Sequence, residues 1–315
     1  MKKTAYIAFF IILIILIPFG VQQVIRYRQL PSSITIATGK EGGRYKVIAE
    51  ALGVEIKEKY GIEVHYRYSP GSDSNIRYVE EGKADLALFQ PNVMTGRGNY
   101  SNARMIANVF PEVVVCHVTK ELSYDPFLGK PAEGEKTIIA VGEKGSGDVV
   151  TSAAILDYFK GASLHEEHLL LNYQEIVKGF KAGDIDLAIV TSEENAPIQK
   201  EIAGQGATKI ISLPFADSFV ARNPDFQIYT IPSGFYAVSP KPYPEQDTTT
   251  IAINAQLIAG AGVSSSMVTA VAAILMDPEF LVRNKLSDLR TRGEAYARAT
   301  PSLPFHSGAD HFYDP

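Results

Sequence analysis

The feature that most constrains this chain is a pattern that occurs twice. A β-branched strand, Ile34-Thr-Ile-Ala37, runs into the glycine loop Gly39-Lys-Glu-Gly42-Gly43. A helical run follows, with Ile48, Leu52 and Ile56 at i+4 spacing, and then an alternating strand from Glu63 to Tyr68. The turn Pro70-Gly-Ser-Asp-Ser74 leads through a short helix to Gly82 and the strand Ala84-Asp-Leu-Ala-Leu-Phe89. The second copy opens with the strand Thr137-Ile-Ile-Ala-Val141 and the loop Gly142-Glu-Lys-Gly145-Ser-Gly147. A helix through Ala153, Leu156 and Phe159 and a strand at His168-Leu-Leu-Leu-Asn172 come next. Gly183-Asp-Ile-Asp-Leu-Ala-Ile-Val190 then echoes Gly82-Lys-Ala-Asp-Leu-Ala-Leu-Phe89 almost residue for residue.

Strand, glycine loop and helix in alternation specify βαβ units and an α/β fold with a mainly parallel sheet in each copy. The repeat is too long for a solenoid, so it predicts two similar lobes. Residues 32–120 with 236–315 are expected to form one lobe and residues 121–235 the other. The crossings fall at the Pro-, Gly- and charge-rich stretch Ser123–Glu135 and at Ile231-Pro-Ser-Gly-Phe-Tyr-Ala-Val238. Ser264–Met276 and Pro278–Ala299 read as helices that return to the first lobe. Ligands of open α/β sheets sit beyond the carboxyl ends of the strands, so facing lobes put both glycine loops on one cleft.

Each loop follows a strand and opens a helix, where free N–H groups and the positive helix end can hold an anion. A tight strand-to-helix turn accounts for either loop alone; the duplication favours a ligand cradle. Neither loop is a Walker loop or a G-x-G-x-x-G fingerprint. Arg44 is a candidate for a bidentate contact with an anion, beside its reading as a surface arginine.

Catalytic and metal readings are weak. Ser146 lies between glycines, but G-x-S-x-G is absent and no histidine stands at a telling position. His165-Glu-Glu-His168 reads as a solvated loop ahead of a strand rather than a metal site, and Glu80-Glu81 and Glu193-Glu194 as solvated faces. The single cysteine, Cys116, excludes an internal disulfide and a multi-cysteine metal site; inside Val113-Val-Val-Cys-His-Val118 it reads as a buried apolar residue. With 30 basic and 35 acidic side chains and a formal net charge of −5, the chain has no basic field fit for a nucleic-acid backbone. No cofactor, no metal and no enzymatic activity are expected.

The N-terminus carries Lys2 and Lys3, an uncharged apolar run from Ala5 to Val21, and Arg26 and Arg28 behind it. The run meets the lower end of the roughly 17–25 residues that span a bilayer. Residues 18–23 offer no Ala-x-Ala cleavage site and no lipid-accepting cysteine. Residues 1–31 are therefore expected to be an uncleaved signal anchor and linker, with a cleaved signal peptide as the alternative. The remainder is expected to be extracytoplasmic.

The run Ile36-Ala-Thr-Gly39-x-x-Gly42-Gly43-x-Tyr45 resembles the opening motif of the TAXI-type solute receptors of TRAP transporters. Gly71-Ser-x-x-Asn75, Gly82-x-Ala-Asp-Leu with Gln90 behind it, and Gly145-Ser-Gly147 are similar to further motifs of that family, in its order. Leu303-Pro-Phe-His306-x-Gly308-Ala309-x-x-x-Tyr313 resembles its closing signature. The resemblance implies a two-lobed fold of the type II periplasmic-binding-protein kind, and a receptor that hands a small carboxylate or amino acid to a TRAP-type membrane permease. It puts Thr38, Gly39, Gly42, Gly43 and Tyr45 of the first loop at the ligand. Ser72, Asn75, Gln90, Asn92, Ser146 and Gly147 join them. The chain departs from the pattern with Lys40, Glu41 and Arg44 in the first loop, Lys46 in place of an aromatic, Asn92 in place of an acid, and Glu193-Glu194-Asn195 before Pro197. A tethered sensor using the same cleft is the alternative function, and an enzyme on this fold the weaker one.

Overall fold

The computed structural model describes residues 30–95, 99–159, 166–237 and 239–315. The apolar run at 5–21 and His165 lie outside the described residues. Strand β1 (Ser33–Ala37) delivers the chain to α1 (Arg44–Tyr60), whose buried face holds Ile48, Leu52 and Ile56 at the anticipated spacing. Gly61 ends α1 in the left-handed region, φ 69°, and β2 (Glu63–Arg67) pairs with β1 in parallel. After α2 (Ser72–Glu80), β3 (Leu86–Phe89) pairs with β1 on its other edge. The second copy runs β5 (Thr137–Ala140), α3 (Gly147–Tyr158), β6 (Glu166–Leu169), α4 (Tyr173–Ala182) and β7 (Leu187–Ser192), with β5 parallel to both β6 and β7. The edge strand β6 starts at Glu166, two residues ahead of the expected start at His168, and ends at Leu169 rather than Asn172; His168 Nε2 lies 2.9 Å from Glu166.

Two long strands join the copies. In β4 (Ala103–Thr119), residues 103–113 pair with β10 (Thr248–Gly260), while Val113–Val118 pair with β7 and Cys116–Thr119 with β8 (Thr208–Ile211). In β10, Gln256–Ala259 pair with β3, and Thr248–Ile253 with β9 (Phe226–Ile231). The register between β4 and β10 slips twice, at Ala255/Gln256 and at Leu257/Ile258. Pro111 on the same stretch lacks an N–H for the ladder. Each long strand therefore changes partners midway.

The buried apolar residues divide in the same way. One cluster gathers β1, α1 and the helices after β10, including Ile48, Leu86, Leu257, Val271 and Phe280. Another gathers Val114, Ile139, Ile155, Leu187 and Phe219. After α5 (Pro197–Gly204) and α6 (Ala216–Arg222), the C-terminal stretch forms α7 (Ser265–Leu275) and three short helices, α8 (Pro278–Arg283), α9 (Ser287–Arg292) and α10 (Glu294–Ala297), before α11 (Ser307–Tyr313) closes on α7. The left-handed Lys285 and Gly293 divide the expected helical stretch Pro278–Ala299 into three. Among the described residues, no helix is long and apolar enough to cross a membrane.

Candidate functional site

Both glycine loops meet at one cavity of about 30 Å³. The first turns of α1, α2 and α3 and the first residue of α4 line it, through Arg44 and Tyr45, Ser72, Gly147 and Asp148, and Tyr173. Glu112, from the middle of β4, forms part of the wall. Helix starts leave N–H groups without intrahelical partners, so their convergence favours negative charge.

The copies touch closely because glycine permits it. A Cβ at Gly147 would collide with the Gln90 side-chain amide and stand 2.9 Å from Ser72 Oγ; at Gly145, with φ 90°, it would stand 2.6 Å from Ser74 Oγ. The Ser74 N–H donates to the Gly145 carbonyl at 3.1 Å, and the Asn92 amide donates to Thr151 Oγ1 at 3.0 Å.

Charge reinforces these contacts. The Lys40 ammonium pairs with Asp148 and lies 3.7 Å from the centre of the Tyr173 ring. The Asp148 carboxylate also accepts the Thr191 N–H at 2.8 Å. Arg44 is not a surface arginine: its Nε lies 3.1 Å from Glu193 yet is buried without a hydrogen-bond partner, and its guanidinium donates to the Asn284 carbonyl. Burial pushes the Glu193 carboxyl upward, opposed by the Arg44 charge.

Glu112 is 4% exposed, and Tyr45 Oη donates to its carboxyl. Burial pushes that carboxyl up to about 8, against hydrogen bonds from Tyr45 and Gln90; Asp148 adds to the rise and Lys40 opposes it. A neutral Glu112 is what a site already holding Asp148 favours. Tyr45 Oη also lies 3.1 Å from Ser72 Oγ, tying α1 to α2.

The expected site residues fall into two groups. Gly39, Gly43, Tyr45, Ser72, Gln90, Ser146 and Gly147 line the cavity. Thr38, Gly42, Asn75 and Asn92 do not. The Asn75 amide donates to the carbonyls of Thr38 and Leu88, at 2.6 and 2.8 Å, and its oxygen accepts from Ser69 Oγ, so its polar atoms brace the loops beneath the cavity. Gly42 supplies a turn at φ 74°. Sequence reasoning missed Glu112, Asp148, Tyr173 and Thr191. Glu112 carried a signal, a lone acid inside the apolar run Val109-Phe-Pro-Glu-Val-Val-Val115. Asp148 directly follows Gly145-Ser-Gly147. Among the described residues no cluster of histidine, cysteine or acidic side chains could hold a metal.

A larger groove of about 690 Å³ lies under the proline-rich loop around Pro240–Pro244. None of its lining side chains carries a buried polar atom without a partner, whereas Thr191 Oγ1 at the smaller cavity is such an atom. Volume alone does not make the groove the site.

A search of curated protein sequences found no match. Among solved structures, R. palustris Rpa4515 with adipate superposes with a TM-score of 0.50 at 16% identity, covering 84% of this chain and 94% of that one. A protein from Bordetella bronchiseptica RB50 gives 0.52 at 13% identity, with coverage of 78% and 70%. The alkanesulfonate-binding protein SsuA from Xanthomonas axonopodis pv. citri, bound to MOPS, gives 0.49 at 11% identity, with coverage of 90% and 83%. The mixed α/β sheet with flanking helices is a fold this chain shares with the R. palustris and Bordetella structures. The family pattern described as NMT1-like matches residues 36–314, nearly everything after the N-terminal apolar run. The chain belongs to the NMT1-like family.

Proposed function

We propose that this chain is an extracytoplasmic solute receptor of the TAXI type, which captures a small carboxylate or amino-acid-like solute between two lobes and delivers it to a TRAP-type membrane permease. Residues 5–21 would hold it at the membrane. The observation that carries the reading is the convergence of helix starts from both sequence copies on one cavity. Three further features support a clamp rather than an enzyme. The copies are joined by two strands that change partners near Pro111 and Ala255, a natural place for a hinge. Asp148 and Glu112 are already engaged by Lys40 and Tyr45. At about 30 Å³ the cavity is far below the roughly 300–1,000 Å³ of ordinary ligand pockets, so a solute enters only as the lobes part.

In this reading residues 32–120 with 236–315 and residues 121–235 move as the two lobes, except that Val114–Thr119 and Thr248–Ile253, paired with β7, β8 and β9, go with the second, so the crossing lies within β4 and β10. Thr38, Asn75 and Asn92 hold the cavity walls, and Gly39, Gly43, Tyr45, Ser72, Gln90, Ser146 and Gly147 meet the solute. The test is a melting-temperature screen of the full chain in mild detergent against dicarboxylates, amino acids and keto acids, followed by calorimetry. A true ligand at a hundred times its Kd adds about 2.7 kcal/mol of stability. A screen in which no small polar solute shifts the melting temperature would falsify the receptor reading.

A further inference from the structure

The Lys40 ammonium occupies a place built to hold an amine. One side is the carboxylate of Asp148, whose side chain is 4% exposed; the other is the face of Tyr173, 3.7 Å away. A carboxylate opposite an aromatic face is the chemistry that recognises an alkylammonium group.

The parts of this seat do not depend on Lys40. Asp148 sits in the first turn of α3, and its carboxylate is fixed by the Thr191 N–H at 2.8 Å. Tyr173 is the first residue of α4, set by a capping box in which Asn172 and Glu175 satisfy each other's backbone N–H groups. Its ring is 5% exposed and packs with Ile176 and Phe180. Lys40, by contrast, reaches the seat from the loop between β1 and α1, flanked by Gly39, Gly42 and Gly43. The seat is rigid and its occupant is a flexible side chain on a glycine-rich tether. A buried ion pair of this kind adds little net stability over an apolar contact, because desolvation offsets the attraction.

We propose that Asp148 and Tyr173 form an ammonium seat which Lys40 fills as a tethered amine, and that the solute carries a protonated amine that displaces it. The displacement rests on the receptor reading; the seat does not. The solute is then zwitterionic or cationic, its amine on Asp148 and Tyr173 and any carboxylate toward the helix starts. Lys40 acts as a built-in competitor that keeps the lobes together and sets a threshold for entry.

The experiment uses the full chain and its Lys40→Ala variant, with propylammonium chloride as the probe and sodium chloride and sodium propionate as controls. Lys40→Ala melts lower than the wild type. Propylammonium raises its melting temperature saturably, and the controls do not. Wild type requires at least tenfold more propylammonium for the same shift, and Lys40→Ala/Asp148→Asn loses the response. Should Lys40→Ala fold poorly, Lys40→Met keeps the stem without the charge, and calorimetry with a bound amino acid then shows at least a threefold affinity gain. No propylammonium response, or equal responses in wild type and Lys40→Ala, overturns the seat. If carboxylates without an amine bind the wild type tightly and amino acids do not, the receptor reading stands and the displacement falls. If propylammonium binds Lys40→Ala while no solute binds wild type, the seat stands and the receptor reading falls.

Discussion

The two glycine loops share a backbone plan and differ in charge. The first, between β1 and α1, carries Lys40 and Arg44, and no side chain caps its helix at Gly43. The second, between β5 and α3, is capped by Ser146 and carries Asp148, and Glu193 follows β7 of the same copy. Lys40 and Arg44 of the first loop each meet an acid of the second copy. Duplication thus preserved the strand-loop-helix geometry while the side chains diverged into complementary halves. Backbone geometry follows glycine placement and apolar periodicity, which local sequence reports; charge complementarity depends on which surfaces face each other, and that is decided only by the whole fold.

The largest test of this balance is pH, because Glu112 stands on the shared strand β4, beside both charges. Its folded-state value of about 8 lies above the ordinary 4.5, so the folded chain keeps a proton that the unfolded chain releases between those pH values. This contribution is full below about pH 4.5, declines as pH rises to about 8, and is flat beyond. Within the window the slope approaches one proton, about 1.4 kcal/mol per pH unit at most. Glu112→Gln keeps the neutral shape and removes the ionisation. Melting of wild type and variant across pH 5–9 should diverge, the variant becoming the more stable above pH 8. Parallel curves would mean that Glu112 ionises freely and that the charge balance lies elsewhere.

Next in size is Asp148→Ala. It strands the Lys40 ammonium and leaves the Thr191 N–H without its acceptor. Removing one partner of a buried pair costs about 3–5 kcal/mol. Lys40→Met should cost less, because Asp148 keeps the Thr191 N–H and the start of α3. Denaturant unfolding of the two variants checks the asymmetry. Equal losses would make the two loops interchangeable, against the comparison.

Asn75 marks how far the sequence could be read. The motif Gly71-Ser-x-x-Asn75 pointed at the cavity, and Ser72 does line it. Asn75, 0% exposed, turns the other way and joins the Thr38 and Leu88 carbonyls to Ser69. Asn75→Ala should therefore lower the stability of the protein itself by about 1–3 kcal/mol for unsatisfied buried groups, and its melting temperature with it. A loss of solute affinity with melting unchanged would return Asn75 to the solute. A motif gives the residues that make a loop but not which of them face the ligand. Likewise, β1, α1, β3, β5 and β7 were legible because their apolar spacing is local. The partner changes within β4 and β10 were not, because a single strand's pattern does not say which neighbour pairs with which half. Tyr173 was equally hidden, because nothing in its local sequence marks it as a cavity residue.

The smallest predicted effect separates the loops most finely. Ser146 Oγ accepts the Val149 N–H at 3.4 Å, a long cap bond, and the same residue lines the cavity. Loss of a serine cap costs about 0.5–2 kcal/mol, and a bond this long belongs at the lower end of that range. Ser146→Ala should therefore lower melting slightly. If the hydroxyl also meets the solute, calorimetry should show roughly a three- to tenfold affinity loss, corresponding to about 0.5–1.5 kcal/mol. Gly43, at the equivalent place in the first loop, has no hydroxyl to lose, and Gly43→Ala brings a Cβ within 3.0 Å of the Lys40 carbonyl. That substitution should disturb the loop carrying Lys40 and leave the Ser146 cap intact. Matching affinity losses without any change in melting would show two loops serving the solute alike. A melting change confined to Ser146→Ala, with affinity unaltered, would reduce the second loop to a helix cap and leave recognition to the charged residues around it.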